Sequence, residues 1–544
     1  MSSLPPVLVA SLTNCCWDIR PLITLILAVI IARRIFPIPS TERSTRRTSY
    51  APSLPLLLTV WAGRVTINIL PDDVLLHIFL FDRVTHLVEQ RDGDRVGRGL
   101  GPQCSASVPW RWDRLVHVCQ RWRSVIFALP KFLDLKLVCG PGTRVELTGI
   151  WPPLPIIIRN SIDRYIPEHY DFNAAMVHHN RLHEISLYLA SSQFQQLTSA
   201  MQVQLPALTH LGLNFDRYYS DPDPVLPDGF LDGSAPNLRY LALGSIAFPT
   251  LPKLLLSSTH LVHLILSNIP HSGYISPEKV VTCLSTLTSL ESLHLSFRSP
   301  LSRPARAGRR PPPQTRSVLP ALTRLQFRGT SEYLEDVVAW IDAPLLDSIR
   351  VSFFHQLIFN IPQLSQFMRH ATMLQEFGKV HVFFNYSGVW LDTLSPIPTQ
   401  PFEEGSEGSS LGISCRELDW QVSSLAQVFT SFFPSIHMVE HLYIHGLRYS
   451  APQQQDDIEN TLWLEIFHPF TSVKNLYVSE QFAPCIAPAL QELGREGAAD
   501  LLPALESIFL KKLEPSGPVK AIGQFVAARR LLGRQVAVSY WNED

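Results

Sequence analysis

One spacing recurs along this chain and limits what it can fold into: an apolar residue, two intervening residues, then two apolar residues in alternation. It reads Leu182/Ile185/Leu187, Leu208/Leu211/Leu213, Leu238/Leu241/Leu243, Leu261/Leu264/Leu266, Leu290/Leu293/Leu295, Leu322/Leu325/Phe327 and Leu346/Ile349/Val351. After a gap it returns as Val439/Leu442/Ile444, Val473/Leu476/Val478 and Leu505/Ile508/Leu510. Apolar residues two apart make a short strand with one face toward a core. Stretches of helical spacing, such as Pro277 to Leu287 and Tyr333 to Ile341, lie between these strands. A single strand-plus-helix unit cannot bury its apolar face alone. Units of this kind therefore stack sideways, each covering its neighbour.

The first seven starting positions are separated by 26, 30, 23, 29, 32 and 24 residues. These intervals scatter around the ~20–29 residues of leucine-rich repeats. Such repeats often carry Asn or Cys three residues after the last leucine. Here that position holds Asp216, Ile246 and Arg298 in three units, so the array reads as degenerate. Two stretches interrupt it. Ser299 to Thr315 is basic and Pro-rich, and Pro396 to Ser410 is acidic and poor in apolar residues; both read as surface loops.

Composition agrees with a packed chain. Of 544 residues, 46% are hydrophobic and 17% charged, which excludes disorder of the whole. A formal net charge of −1 gives no global drive toward nucleic acid or anionic membrane. The 44 prolines against 26 glycines point to short elements joined by stiff turns. Eight scattered cysteines without a CxxC pair give no zinc ribbon or thioredoxin-type site, and fit a reducing compartment, cytoplasmic or nuclear.

Ahead of the array, residues 67–137 read as two amphipathic helices around an insertion at about 83–109. The first is expected from Leu70 to Phe81, with Pro71 in its first turn and Leu70, Val74, Leu75, Ile78 and Phe79 on one face. The second is expected from Asp113 to just before Pro130, its apolar face being Leu115, Val118, Cys119, Trp122 and Val125 or Ile126.

The text INILPDDVLLHIF followed by LVHVCQRWRSVIFALP resembles the F-box. That family opens with Leu-Pro (here Leu70-Pro71), carries Ile-Phe eight residues on (Ile78-Phe79), and later shows Val-Cys and Trp-Arg (Val118-Cys119, Trp122-Arg123). The stretch up to about residue 161 looks like the segment after the F-box in mushroom-forming fungi. The insertion departs from the family, whose helices lie closer in sequence. The resemblance implies a substrate receptor of a cullin-RING (SCF-type) ubiquitin ligase. In the family this helical face docks a Skp-type adaptor, which joins the cullin scaffold, and the C-terminal domain holds a protein substrate. Carried over, the adaptor-binding residues are Leu70, Pro71, Val74, Ile78, Phe79, Leu115, Val118, Cys119 and Trp122, with Phe79 and Trp122 as anchors.

The expected architecture is thus α/β: an all-α F-box module, then an irregular leucine-rich-repeat solenoid over 145–544, with a tail at 1–66 outside the fold. Within that tail residues 21–32, which contain the run LITLILAVIIA, span about 18 Å, short of a ~30 Å hydrocarbon core. A tilted anchor for a non-catalytic, membrane-tethered scaffold is the alternative reading. No catalytic constellation, metal set or cofactor motif is expected. His437, His441 and His445, and His178, His179 and His183, lack completing ligands; Gly97, Gly99 and Gly101 miss the phosphate-loop spacings. Arg303, Arg306, Arg309 and Arg310 read as a solvated loop, and the sequon at Asn385 as unused.

Overall fold

A computed structural model describes residues 70–81, 83, 112–139, 153–160, 172–215, 223–300, 316–356, 358–371, 378–393, 408–433, 435–446, 460–479, 482–496, 501–511 and 517–541. The tail at 1–66, most of the insertion, the glycines at 97–101 and the arginines at 303–310 lie outside these residues. The chain divides into two compact units, one ending at Leu135 and one running on from Lys136.

In the first unit residues 72–81 form a helix, α1. Pro71 stands one residue before it, and its carbonyl accepts the Leu75 N–H at 3.1 Å. The expected second helix is two helices, α2 (Trp112–Val116) and α3 (Gln120–Ala128). The break falls at Cys119, whose backbone is extended and whose Sγ accepts the Trp122 N–H, capping α3. A residue that caps a helix has left helical geometry, so it cannot also continue the helix before it.

The second unit is built on a sixteen-stranded sheet. Its strands in chain order are β1 (Leu137–Cys139), β2 (Ile156–Arg159), β3 (Leu182–Leu189), β4 (His210–Phe215), β5 (Tyr240–Gly244), β6 (His263–Ile269) and β7 (Ser292–Phe297). Next come β8 (Ser317–Val318), β9 (Arg324–Gly329), β10 (Ile341–Asp342), β11 (Ser348–Phe354), β12 (Lys379–Asn385), β13 (Gly388–Asp392) and β14 (Gly408–Ser414). The last are β15 (His441–Gly446), β16 (Asn475–Val478), β17 (Ser507–Lys511) and β18 (Ala537–Trp541). β8 and β10 form a separate parallel pair. β1 begins ahead of the expected start at 145.

The recurring spacing sets the register. Ile185, Leu211, Leu241, Leu264, Leu293, Leu325 and Ile349 pair in one row, and Leu187, Leu213, Leu243, Leu266, Leu295, Phe327 and Val351 in another. All of them are buried. In the units from β4 to β11 the second of the two intervening residues opens the strand. At each step a single carbonyl, such as Thr209, Arg239, Val262, Glu291 or Thr323, accepts two consecutive N–H groups of the next unit. The leading leucine closes a turn onto the carbonyl three residues earlier, as Leu238 does on Ala235 and Leu290 on Leu287. Helices return the chain, among them Ser191–Ala200, Pro277–Leu284, Ser331–Val338, Pro362–His370 and Leu418–Phe432.

The gap in the repeat is filled by structure of another kind. Spatially the strands run β11-β14-β13-β12-β15, with β13 antiparallel to both of its neighbours. The chain passes over two strand positions to β12, turns back through β13 and reaches β14 beside β11, in register with Val351 opposite Leu411. The turn from β12 to β13 is held by Asn385, whose Oδ1 accepts from Ser387 N, Ser387 Oγ and Gly388 N at 2.7, 2.9 and 3.1 Å. The sequon asparagine is therefore a buried turn residue. A Cβ on Gly388 would meet the Ile413 carbonyl oxygen of β14, so only glycine lets these strands close. The interruption expected to end at Ser410 ends earlier: Ser409 and Ser410 are buried in β14. Small hydroxyls in a strand buried on both sides give no hydropathy signal.

Candidate interaction surfaces

The helical unit brings the two halves of the motif together. Phe79 of α1 packs edge-on against Trp122 of α3, ring centroids 5.0 Å apart. Both are buried, at 1% and 4% exposure, and Ile78 is buried with them. Leu70, Val74, Leu115 and Cys119 are half-buried, and Pro71 is exposed. The Arg121 guanidinium donates to Asp72 Oδ1 from Nε and Nη2 (2.9 and 2.6 Å) and from Nη2 to the Leu70 carbonyl (2.5 Å). It ties the start of α3 to the Leu70-Pro71 end of α1.

This geometry revises the expected face. Phe79 and Trp122 are interior residues of the unit, where burial of each aromatic ring stabilises the helix pairing. Val118, in the break between α2 and α3, is 43% exposed. Phe81, Leu129 and Phe132 are also exposed, and helical periodicity alone did not single them out. Their sequence signal is position: each sits at or just past a helix end.

The sheet has a helix-covered face, where the leucines lie, and an outer face made by the alternate residues. At the C-terminal end the outer face carries a row of stacked rings. His381 (β12) lies on Tyr443 (β15) at 4.2 Å and 1°, Tyr443 on Tyr477 (β16) at 4.1 Å and 8°, and Tyr477 on Phe509 (β17) at 4.5 Å and 9°. Strand register places these four residues side by side. His381 Nδ1 and His445 Nε2 are 3.3 Å apart, within reach of a hydrogen bond between the two rings. Burial, with the Tyr477 phenol alongside, pushes the Tyr443 hydroxyl up to about 12. Burial and the Lys379 ammonium lower His441.

His441 and His445 share this face because residues four apart in a strand point the same way, while His437 lies in a 3-10 turn outside β15. His183 stacks on His210 at 6.3 Å, apart from His178 and His179. Among the described residues no group of three His, Cys, Asp or Glu side chains is placed to hold a metal ion. The ring row went unread in the sequence although a signal exists. Each ring is the middle residue of a buried apolar pair: Val380-His381-Val382, Leu442-Tyr443-Ile444, Leu476-Tyr477-Val478 and Ile508-Phe509-Leu510.

No described helix is long and apolar enough to cross a membrane, and residues 22–32 lie outside the described set. No protein-family model matches the chain, and no curated protein matches it. Among solved structures it is similar to the leucine-rich repeat-containing protein LegL7 from Legionella pneumophila. The identity is 11%, over 72% of this chain and 97% of that one, with a TM-score of 0.24. At that score the repeat architecture rests on the strand register described above.

Proposed function

We propose that this chain is a non-catalytic substrate receptor of a cullin-RING ubiquitin ligase. The helical unit docks a Skp-type adaptor bound to a cullin scaffold, and the outer face of the sheet holds a protein substrate. The receptor breaks no bond. It raises the effective concentration of substrate lysines near a ubiquitin-charged enzyme. The observation that carries this reading is the contact between Phe79 and Trp122, braced by Arg121 on Asp72 and Leu70. The two halves of the F-box-like text pack as one unit although about 30 residues separate α1 from α2.

The test is co-expression of the full chain with a fungal Skp-type adaptor, followed by affinity capture and size exclusion. Stoichiometric co-elution is expected. Val118→Asp, at an exposed position, should abolish it while leaving the thermal melt unchanged. A folded chain that never captures the adaptor would sink the ligase reading and leave a protein-interaction repeat protein without that role.

A further inference from the structure

The two ends of the large sheet are unlike. At one end β1 is three residues long, and its shortness blunts the edge. At the other end β18 (Ala537–Trp541) pairs with β17 over all five of its residues without a shift in register. Among the described residues β17 is its only strand partner. β18 reads Ala-Val-Ser-Tyr-Trp and holds no charge, no proline and no bulge, the devices that protect an open edge. Val538 and Tyr540 pair with the buried Ile508 and Leu510, so they fall on the core side of the sheet. They are nonetheless 43% and 63% exposed: the helices of the core layer leave them open to solvent.

The backbone of this edge has a definite phase. The Ala537 N–H donates to the Glu506 carbonyl at 2.8 Å, so Ala537, Ser539 and Trp541 turn their backbone polar groups to β17. Val538 and Tyr540 turn theirs to the open side. An antiparallel strand centred on Ser539 meets this phase, and a second β18 is such a strand. Val538 then lies opposite the partner's Tyr540, and Tyr540 opposite the partner's Val538. Both are hydrogen-bonded pairs, each exchanging two N–H to carbonyl bonds. Their side chains share the core side, an aromatic ring beside a β-branched residue, which is a favourable cross-strand pair. Ser539 meets its own copy on the axis. The helix leading into β18 adds Leu531 and Leu532, both exposed. Two copies that cover Val538, Tyr540, Leu531 and Leu532 bury on the order of 1,000 Å², where specific interfaces begin.

We propose that the β18 edge is the interface of a two-fold dimer of this chain, in which the sheets of two copies join antiparallel about Ser539 into one continuous sheet. A two-fold contact is closed, because the same edge serves both copies and none is left over. Pairing of β18 with β1 of another copy would be head-to-tail and would run on into fibres, and the three residues of β1 offer little to hold. The dimer sets two outer faces on the same side of one sheet, so a partner with two recognised segments is bound with avidity. The inference makes no use of the adaptor-binding helices, and its assay contains no adaptor, so the two readings fail separately.

The experiment is sedimentation velocity on the full chain over the micromolar range, with a cross-linking series beside it. A reversible species of twice the chain mass is expected. Val538→Lys and Val538→Pro should each weaken it by about tenfold or more, since a charge or a missing donor there disrupts only the open side. Both variants should keep the wild-type circular dichroism and a cooperative melt, because the residue 538 N–H has no partner in β17. Ser539→Cys should give a disulfide-linked dimer under mild oxidation that the wild type and Ala537→Cys do not give. Only residue 539 faces its own copy at disulfide distance. A wild-type chain that stays monomeric overturns the proposal. So does a dimer that folded Val538→Lys and Val538→Pro leave intact, or a cross-link in Ala537→Cys equal to that in Ser539→Cys. A mass that climbs past two copies with concentration assigns the edge to head-to-tail pairing, and also overturns it.

Discussion

Arg121 reaches from the first turn of α3 to Asp72 at the first turn of α1, its Nη2 2.6 Å from Oδ1, and the same nitrogen donates to the Leu70 carbonyl. The carboxylate also sits at the positive end of the α1 dipole. One side chain thus fixes where the Leu70-Pro71 turn meets α3. Exposed ion pairs couple by ~0.2–1 kcal/mol, so the ion pair contributes little by itself. A double-mutant cycle of Arg121→Met and Asp72→Asn on thermal stability should give a coupling below about 1 kcal/mol. Arg121→Met alone should weaken adaptor capture more than Asp72→Asn, because only the arginine also holds the Leu70 carbonyl.

The burial of Trp122 decides how its replacement is read. Trp122→Ala leaves a cavity against Phe79 and should destabilise the helical unit by about 3–5 kcal/mol. Limited proteolysis should then cut within 70–135 while the sheet unit resists. A loss of adaptor binding with this variant reports unfolding. Val118→Asp reports the surface.

Glu335 is a buried carboxylate in helix Ser331–Val338, and it caps the helix of the following repeat. Its Oε2 accepts Gln363 N–H at 3.0 Å and its Oε1 accepts Leu364 N–H at 2.7 Å. These are first-turn donors of helix Pro362–His370 that have no partner within that helix. Glu335→Ala should cost about 2 kcal/mol in urea denaturation, and exposed-face changes on the same helix should cost far less. Glu335→Gln should recover part of the loss, since an amide oxygen still accepts one bond.

His294 on the outer face of β7 is pushed down to about 4 by burial. A histidine whose folded value lies below its unfolded value binds protons better when unfolded. Its contribution to stability is therefore complete above about 6.5, declines as pH falls toward about 4, and is level below that. Urea midpoints taken across this window should fall with acid. His294→Gln should flatten the slope, and His210, His263 and His441, also lowered by burial, should account for what remains.

The alternation Leu241/Leu243 or Leu476/Val478 was enough to predict strand, buried face and neighbour, because strand periodicity and register are local properties repeated unit by unit. The Leu-Pro and Trp-Arg text likewise marked the helices of the first unit. The antiparallel β12–β14 insert was not legible. Its strands Lys379–Asn385, Gly388–Asp392 and Gly408–Ser414 lack the leading leucine, and its order depends on contacts with β11 and β15.

The sequence by itself determined that a strand-plus-helix array follows a small helical module, since amphipathic periodicity is written in consecutive residues. Only the tertiary structure decided the rest. It put Phe79 and Trp122 inside, split the second helix at Cys119, and lined up His381, Tyr443, Tyr477 and Phe509 into one stacked row. The reason is physical: which side of a helix is exposed, and which rings or charges share a face, depends on neighbours brought in from tens of residues away.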